Sequence, residues 1–241
     1  MLHQNLPTMH YFFTVLSVCL LTCTTLFAQS TESRSVDQFT GISVSGNMET
    51  TVRQGPQRVE ITADRATLER IETRVKNGRL YIEMRNENWG GKKYKKSSAA
   101  KITITVPRLD YIGYNGSGSL TTTDRFAAET LEIEFNGSGK LTADVETREL
   151  SVGQNGSGHL RISGETQRLQ VKKNGSGSLD APQLSANTVK VNSNGSGNTR
   201  LHAARELHVE ANGSGNVHYS GNPSIRTDIN GSGSVRQERN E

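Results

Sequence analysis

Beyond residue 28 this chain of 241 residues has no cysteine; its only two, Cys19 and Cys23, stand in the apolar stretch near the start. Disulfides, zinc–thiolate sites and cysteine nucleophiles are thereby excluded from everything downstream. Aromatic residues make up 5% of the chain, with a single tryptophan, Trp89. Hydrophobic residues make up 32%, which stays below the level of an ordinary globular domain even when the 24 glycines are added. Such leanness argues against a large helix-layered α/β enzyme, but it is too mild for disorder. Neither charge sign dominates: 28 basic residues against 24 acidic give +4, too balanced for a nucleic-acid footprint. Stability must come from packing and hydrogen bonds in an all-β chain.

There is one long hydrophobic run, residues 11–27, and it precedes the first Lys or Arg, Arg34. It is shorter than the roughly 20 residues of a spanning helix. A small residue, Ala28, and a polar stretch follow it. We read residues 1–28 as a secretory signal peptide cut after Ala28, which implies export. A retained anchor is one competing reading. Lipidation of Cys23 is the other, and Thr22 disfavours it, because that position takes a small Gly, Ala or Ser.

What is abundant is a repeat. Asn-Gly-Ser-Gly occurs seven times at intervals of 18–21 residues. The corners are Asn115, Gly116, Gly118; Asn136, Gly137, Gly139; Asn155, Gly156, Gly158; Asn174, Gly175, Gly177; Asn194, Gly195, Gly197; Asn212, Gly213, Gly215; and Asn230, Gly231, Gly233. Five and three residues before most corner asparagines stand aliphatics, such as Leu150 and Val152 or Leu169 and Val171; five and seven after stand Leu160 and Ile162 or Leu179 and Ala181. Residues between them are polar. Alternation of period two on both sides of a glycine corner means strand, bend, strand. No single unit can bury its apolar face, but stacked units can.

The sequence therefore predicts a single-domain parallel β-helix, a β-solenoid of seven coils with strand-like spacing, right-handed by the chirality of parallel crossovers. Glycine supplies positive φ or close backbone approach at the corner, and asparagine can bond to its equivalent one coil away. Length variation falls between eight after and six before the asparagine, where an outer loop is expected. Residues 29–107 lack the tetrapeptide and read as irregular first coils and a cap. They contain a short helical turn capped by Asp64 and turns at Gly55-Pro56 and Asn77-Gly78. Residues 108–236 form the repeat array, and residues 237–241 are a charged tail expected to fray.

The segments FTGISVSGNMETTVRQG (39–55), VKNGRLYIEM (75–84) and ITITVPRLDYI (102–112), with the recurrent corners, resemble the bacterial family of auto-transporter adhesin head GIN domains. The resemblance spans about residues 36–236. It implies a secreted or surface-exposed parallel β-helix with an adhesive role, and it brings no active site.

The pattern points to no specific chemistry. A phosphate loop needs Lys-Ser/Thr and a helix after the glycines; here strands follow. Calcium rolls need an Asp in each turn, and no corner contains a carboxylate. The Asn-Gly-Ser sequons are read as a by-product of the corner. Glu132 and Glu134 share a strand face and are read as solvated, as are His202, His208 and His218, which could otherwise meet a metal. No cofactor or metal is expected. The most distinctive surface feature is the basic excursion within residues 86–100, where Trp89, Lys92, Lys93, Tyr94, Lys95 and Lys96 could contact an anionic glycan or a membrane surface; a plain solvated loop is the other reading. The functional expectation is a non-catalytic exported solenoid for adhesion or cell-envelope scaffolding, with a cell-surface glycan or envelope component as partner. A carbohydrate-binding or carbohydrate-processing module sited in the N-terminal third is the rival.

Overall fold

The computed structural model describes residues 29–85 and 100–238. The leader (1–28) with Cys23, the excursion carrying Trp89, Lys92, Lys93, Tyr94, Lys95 and Lys96, and residues 239–241 lie outside the described residues. What is described is a β-solenoid with one four-residue helix.

In chain order the elements are β1 Ser30–Arg34, β2 Gly41–Ser45, β3 Met48–Gln54, β4 Arg58–Ala63, α1 Arg65–Leu68, β5 Ile71–Lys76, β6 Arg79–Met84, β7 Ala100–Val106, β8 Tyr111–Gly116, β9 Ser119–Gly137, β10 Lys140–Gly156, β11 His159–Asn174, β12 Ser178–Ala181, β13 Leu184–Asn194, β14 Thr199–His202, β15 Glu206–Asn212, β16 Val217–Ser220, β17 Ser224–Asn230 and β18 Val235–Gln237. From β8 onward all pairing is parallel, each strand lying on its equivalent one coil earlier. All seven corner asparagines fall in one register, Asn115 opposite Asn136 and so on to Asn212 opposite Asn230.

The alternation puts the aliphatic rows inside. Leu131, Leu150, Leu169, Val189 and Leu207 stack in one row, and Ile112, Ile133, Val152, Val171, Val191 and Val209 in the next, all buried. After the corner, Leu120, Leu141, Leu160, Leu179, Thr199 and Val217 continue the interior. Parallel strands buried on one side only keep their polar residues on the other, so period two survives in every coil.

The expected outer loop is not what the long coils contain. β9, β10 and β11 run as unbroken strands of 19, 17 and 16 residues that bend around the core. Because each coil bends with its neighbour, pairing continues through the segment and makes another inward face, with Phe126 and Val145 buried and Thr147 Oγ1 3.0 Å from Thr166 Oγ1. The two extra residues of the first repeat are taken up by a register shift between Thr142 and Asp144, where the Asp144 amide donates to Thr122 Oγ1 at 3.0 Å. Only later, where Pro182 interrupts the ladder between β12 and β13, does the segment become a turn.

The N-terminal region is continuous with the stack. β2 lies between β6 and β8, and β3 between β7 and β9, all parallel. Ser45-Gly46-Asn47 replaces the tetrapeptide there, with Ser45 opposite Asn115 and Gly46 at φ +128°. Three antiparallel strands then close this end. β4 pairs with β7, β1 with β4, and β5 with β6 through the Asn77-Gly78 turn, whose φ values are 53° and 70°. Asp64 caps α1, accepting from the Thr67 amide at 2.9 Å. At the other end Gln237, assigned to the frayed tail from its charged surroundings, closes β18 and donates to the Gly221 carbonyl at 2.7 Å. Parallel pairing extends β18 two residues past the last inward-facing apolar position, Val235.

Candidate binding face

The two glycines of each corner do different work. Gly137, Gly156, Gly175, Gly195, Gly213 and Gly231 hold φ between +110° and +136°, where a side chain is strained. Gly116, the first in its corner, is required by space instead, since a Cβ there would sit 1.9 Å from the Gly46 carbonyl oxygen. The second glycines, Gly118, Gly139, Gly158, Gly177, Gly197, Gly215 and Gly233, lie against the coil beneath; a Cβ on Gly139 would be 2.3 Å from the Gly118 oxygen and one on Gly233 2.3 Å from the Gly215 oxygen. Asn155 Nδ2 donates to Asn136 Oδ1 (2.8 Å), Asn174 to Asn155 (2.9 Å), Asn194 to Asn174 (3.2 Å) and Asn212 to Asn194 (3.0 Å). Every donor in this ladder points the same way, each amide donating to the asparagine of the coil before it.

Beneath the corners runs a row that aliphatic pattern reading passes over, the residue just before each asparagine. It holds Tyr114, Phe135, Gln154, Lys173, Ser193 and Ala211, all buried. Tyr114 and Phe135 stack at 6.0 Å between ring centroids. Gln154 Nε2 donates to the Gly158 and Ser178 carbonyls, and Lys173 Nζ to the Asn198 carbonyl at 2.8 Å. Burial pushes the Lys173 amine down to about 8. The available signal was period two itself: a strand with inward residues at minus five and minus three must also turn minus one inward.

Just past the corners, on the outer surface, lies a groove of about 520 Å3 crossing five coils. Its rim carries Lys140, then His159 and Arg161, then Ser178 and Asp180, then Asn198 and Arg200, then His218, with Leu160 and Leu179 as floor. Arg161 grips Asp180 through Nη2 (2.8 Å) and Nε (3.2 Å). Glu238 approaches Arg200 Nε at 3.5 Å and His218 Nδ1 at 3.2 Å. His159 Nδ1 contacts Ser178 Oγ. Lys140 has no ion-pair partner among the described residues. Read one row at a time, these positions show no accumulation of charge. Taken together, the rows four and six after the asparagine make a polar, net basic channel with side chains repeating at one strand spacing.

The other candidates are dispersed. Glu134 is raised above the usual carboxylate range, chiefly by burial and then by Glu132, with Lys172 opposing. His202 meets Ser220 Oγ (3.0 Å), while His208 Nε2 lies 2.8 Å from Glu210 Oε1. With His218 on Glu238, the three histidines turn to three different partners. Among the described residues no three His, Cys, Asp or Glu side chains are grouped to hold a metal. Both carboxylates at the rim are engaged, Asp180 by Arg161 and Glu238 by Arg200 and His218.

Fold and surface together define a glycine-cornered β-solenoid with a polar outer face. The chain belongs to the family described as "putative auto-transporter adhesin, head GIN domain", whose model matches residues 38–223. It is similar to the solved structure of a "putative adhesin" from Bacteroides fragilis, with 24% identity, 88% of this chain and 97% of that one covered, and a TM-score of 0.80. A "putative lipid binding protein" from Parabacteroides distasonis has 22% identity, coverage of 88% and 97%, and a TM-score of 0.71. A "putative adhesin" from Parabacteroides merdae has 17% identity, coverage of 88% and 96%, and a TM-score of 0.64. At these identities the likeness is one of fold. No curated protein matches the chain.

Proposed function

We propose that this protein is an exported, non-catalytic solenoid that presents a repetitive polar surface for adhesion or for scaffolding of the cell envelope. The groove rimmed by Lys140, Arg161 and Arg200 is its principal contact face. The observation that carries this reading is the stacking of equivalent polar side chains across five coils. An extended glycan or envelope polymer offers hydroxyl and carboxylate groups at intervals comparable to one coil, so each coil adds one weak contact and the sum gives avidity. Membership of an adhesin family supports the role, and the polar leader-to-fold transition after Ala28 supports export. No helix among the described residues is long and apolar enough to cross a membrane.

The test is retention on a panel of neutral and acidic glycans and envelope extracts, with product release followed in the same samples. Retention without turnover, weakened about tenfold or more by Lys140→Glu with Arg200→Glu, is the expected result. Release of cleaved sugar would replace this reading with a processing enzyme. Retention unaffected by the double substitution would move the contact away from the groove.

A further inference from the structure

The last coil is open. Ile225 and Ile229 are the exposed large hydrophobics of the described residues, at 44% and 37%. They are not stray surface residues: they lie on Leu207 and Ala211 in the inward rows, with Thr227 on Val209 between them. β17 thus continues the core by one layer, and no strand among the described residues lies on it. Its backbone is in the same condition. The Ser224 amide donates to the Arg205 carbonyl, and the Asn230 carbonyl accepts from the Gly213 amide, so the even-numbered residues spend their backbone groups on the coil beneath. By alternation, the amides and carbonyls of Ile225, Thr227 and Ile229 face the free edge.

We propose that this edge is a self-association site at which β17 pairs antiparallel with β17 of a second copy, about a two-fold axis at Thr227. The sequence of the strand, Ser-Ile-Arg-Thr-Asp-Ile-Asn, is self-complementary in that register. Ile225 comes opposite Ile229, Thr227 opposite itself, and Arg226 opposite Asp228, each twice. The residues whose backbone faces the edge are those that become hydrogen-bonded pairs, and Arg226 with Asp228 falls at the closer, non-bonded positions where opposite charges interact best. Neither Arg226 nor Asp228 has an ion-pair partner among the described residues. The two-fold keeps inward faces on the same side, so the two cores meet.

Other arrangements lose something specific. Parallel pairing of the same strands in register would set Arg226 on Arg226 and Asp228 on Asp228. An antiparallel slip of one residue would face bonded against non-bonded backbone and turn the isoleucines outward. Head-to-tail growth would need a matching open layer at the N-terminal end, and there antiparallel β4 and β5 already cover β7 and β6. The contact is therefore isologous and closes at two. It is independent of what the groove binds, and a pair would carry two grooves.

Sedimentation velocity on the expressed, processed gene product, across micromolar to submillimolar concentration, tests this with three proteins. The unaltered chain is expected to show a concentration-dependent monomer–dimer equilibrium. Arg226→Asp should raise the dissociation constant by about ten- to a hundredfold, since two attractive pairs become repulsive. Arg226→Asp with Asp228→Arg should restore it, which a mere loss of folding could not do; thermal melts check that all three stay folded. An unaltered chain that is monomeric throughout, one that grows beyond the dimer, a dimer indifferent to Arg226→Asp, or a double exchange that fails to restore pairing would each overturn the proposal.

Discussion

The two ends of the stack face the same physical problem, an edge of unpaired backbone above a thin core, and they differ in how they meet it. At the N-terminal end the chain spends β1, β4 and β5 on antiparallel cover, and the bottom layer (Leu80, Ile82, Ile102, Ile104) is fully buried. At the C-terminal end β17 pairs on one side only among the described residues, and all seven of its residues are exposed. The difference teaches that the repeat alone does not seal a solenoid. A coil buries its inward row only when something lies on it, and identical inward positions have opposite environments depending on the next layer.

Substitutions at equivalent positions break this comparison most sharply. Val171→Asp, in the middle of a row, places a carboxylate among buried aliphatics with no partner and should cost more than about 4 kcal/mol, abolishing cooperative unfolding. Thr227→Asp, three residues before its own asparagine in the same way, should change the stability of the monomer by no more than about 0.5 kcal/mol when measured below the concentration at which copies associate. Urea midpoints of the two variants check the contrast. Glycines give the next effect. Gly156→Ala must hold φ +121° with its Cβ 2.4 Å from the Gly137 oxygen, and about 2–4 kcal/mol is expected. Gly78→Ala in the covering hairpin is strained at φ +70° but meets nothing within 4 Å, so about 1 kcal/mol is expected.

Lys173 sharpens the picture from inside. Of its two partners, Asn198 O also accepts from the Leu179 amide, whereas the buried Thr199 hydroxyl, 3.5 Å from Nζ, loses its bond when the amine is removed. Lys173→Met should stabilise the protein by about 1 kcal/mol at pH 7, relief of the buried amine outweighing the hydroxyl left unbonded. The folded amine titrates at about 8, below its ordinary value of 10.5, so between those values the unfolded chain holds the proton more tightly. Stability of the unaltered protein should accordingly rise as pH climbs through that window, and the advantage of Lys173→Met should shrink between pH 7.5 and 9.5. The smallest effect belongs to the ladder. Asn155→Ala, which breaks bonds to Asn136 and from Asn174, should cost about 1 kcal/mol. Asn230→Ala at the open end should cost close to nothing in a melt.

Period two around a recurring glycine corner was enough to predict the solenoid, the inward rows and the Asn ladder, because each rests on local geometry repeated at a fixed interval. The unbroken β9–β11 were not legible: whether a polar segment such as residues 123–130 is loop or strand depends on the coil lying against it. The single-glycine corner at Gly46 was hidden because it lacks the tetrapeptide; its φ of +128° calls for glycine, and its carbonyl oxygen in turn excludes a side chain at Gly116, seventy residues on. The groove escaped because neither of its rows is distinctive alone. The basic side chains are shared there between Lys140 in one row and Arg161 and Arg200 in the next. The polar residues Gln154 and Lys173 beneath the corners were masked by their chemistry, which points outward while the pleat turns them in.

The absence of cysteine beyond residue 28 allows the stacking itself to be read chemically. Ser157, Ser176 and Ser196 are exposed serines of successive corners, and adjacent coils bring such positions about 5 Å apart, within disulfide reach. Ser157→Cys with Ser176→Cys should form an intramolecular disulfide under mild oxidation, whereas Ser157→Cys with Ser196→Cys, two coils apart, should not. Equal cross-linking of both pairs, or of neither, would contradict a stack in which every corner sits directly on the one before it.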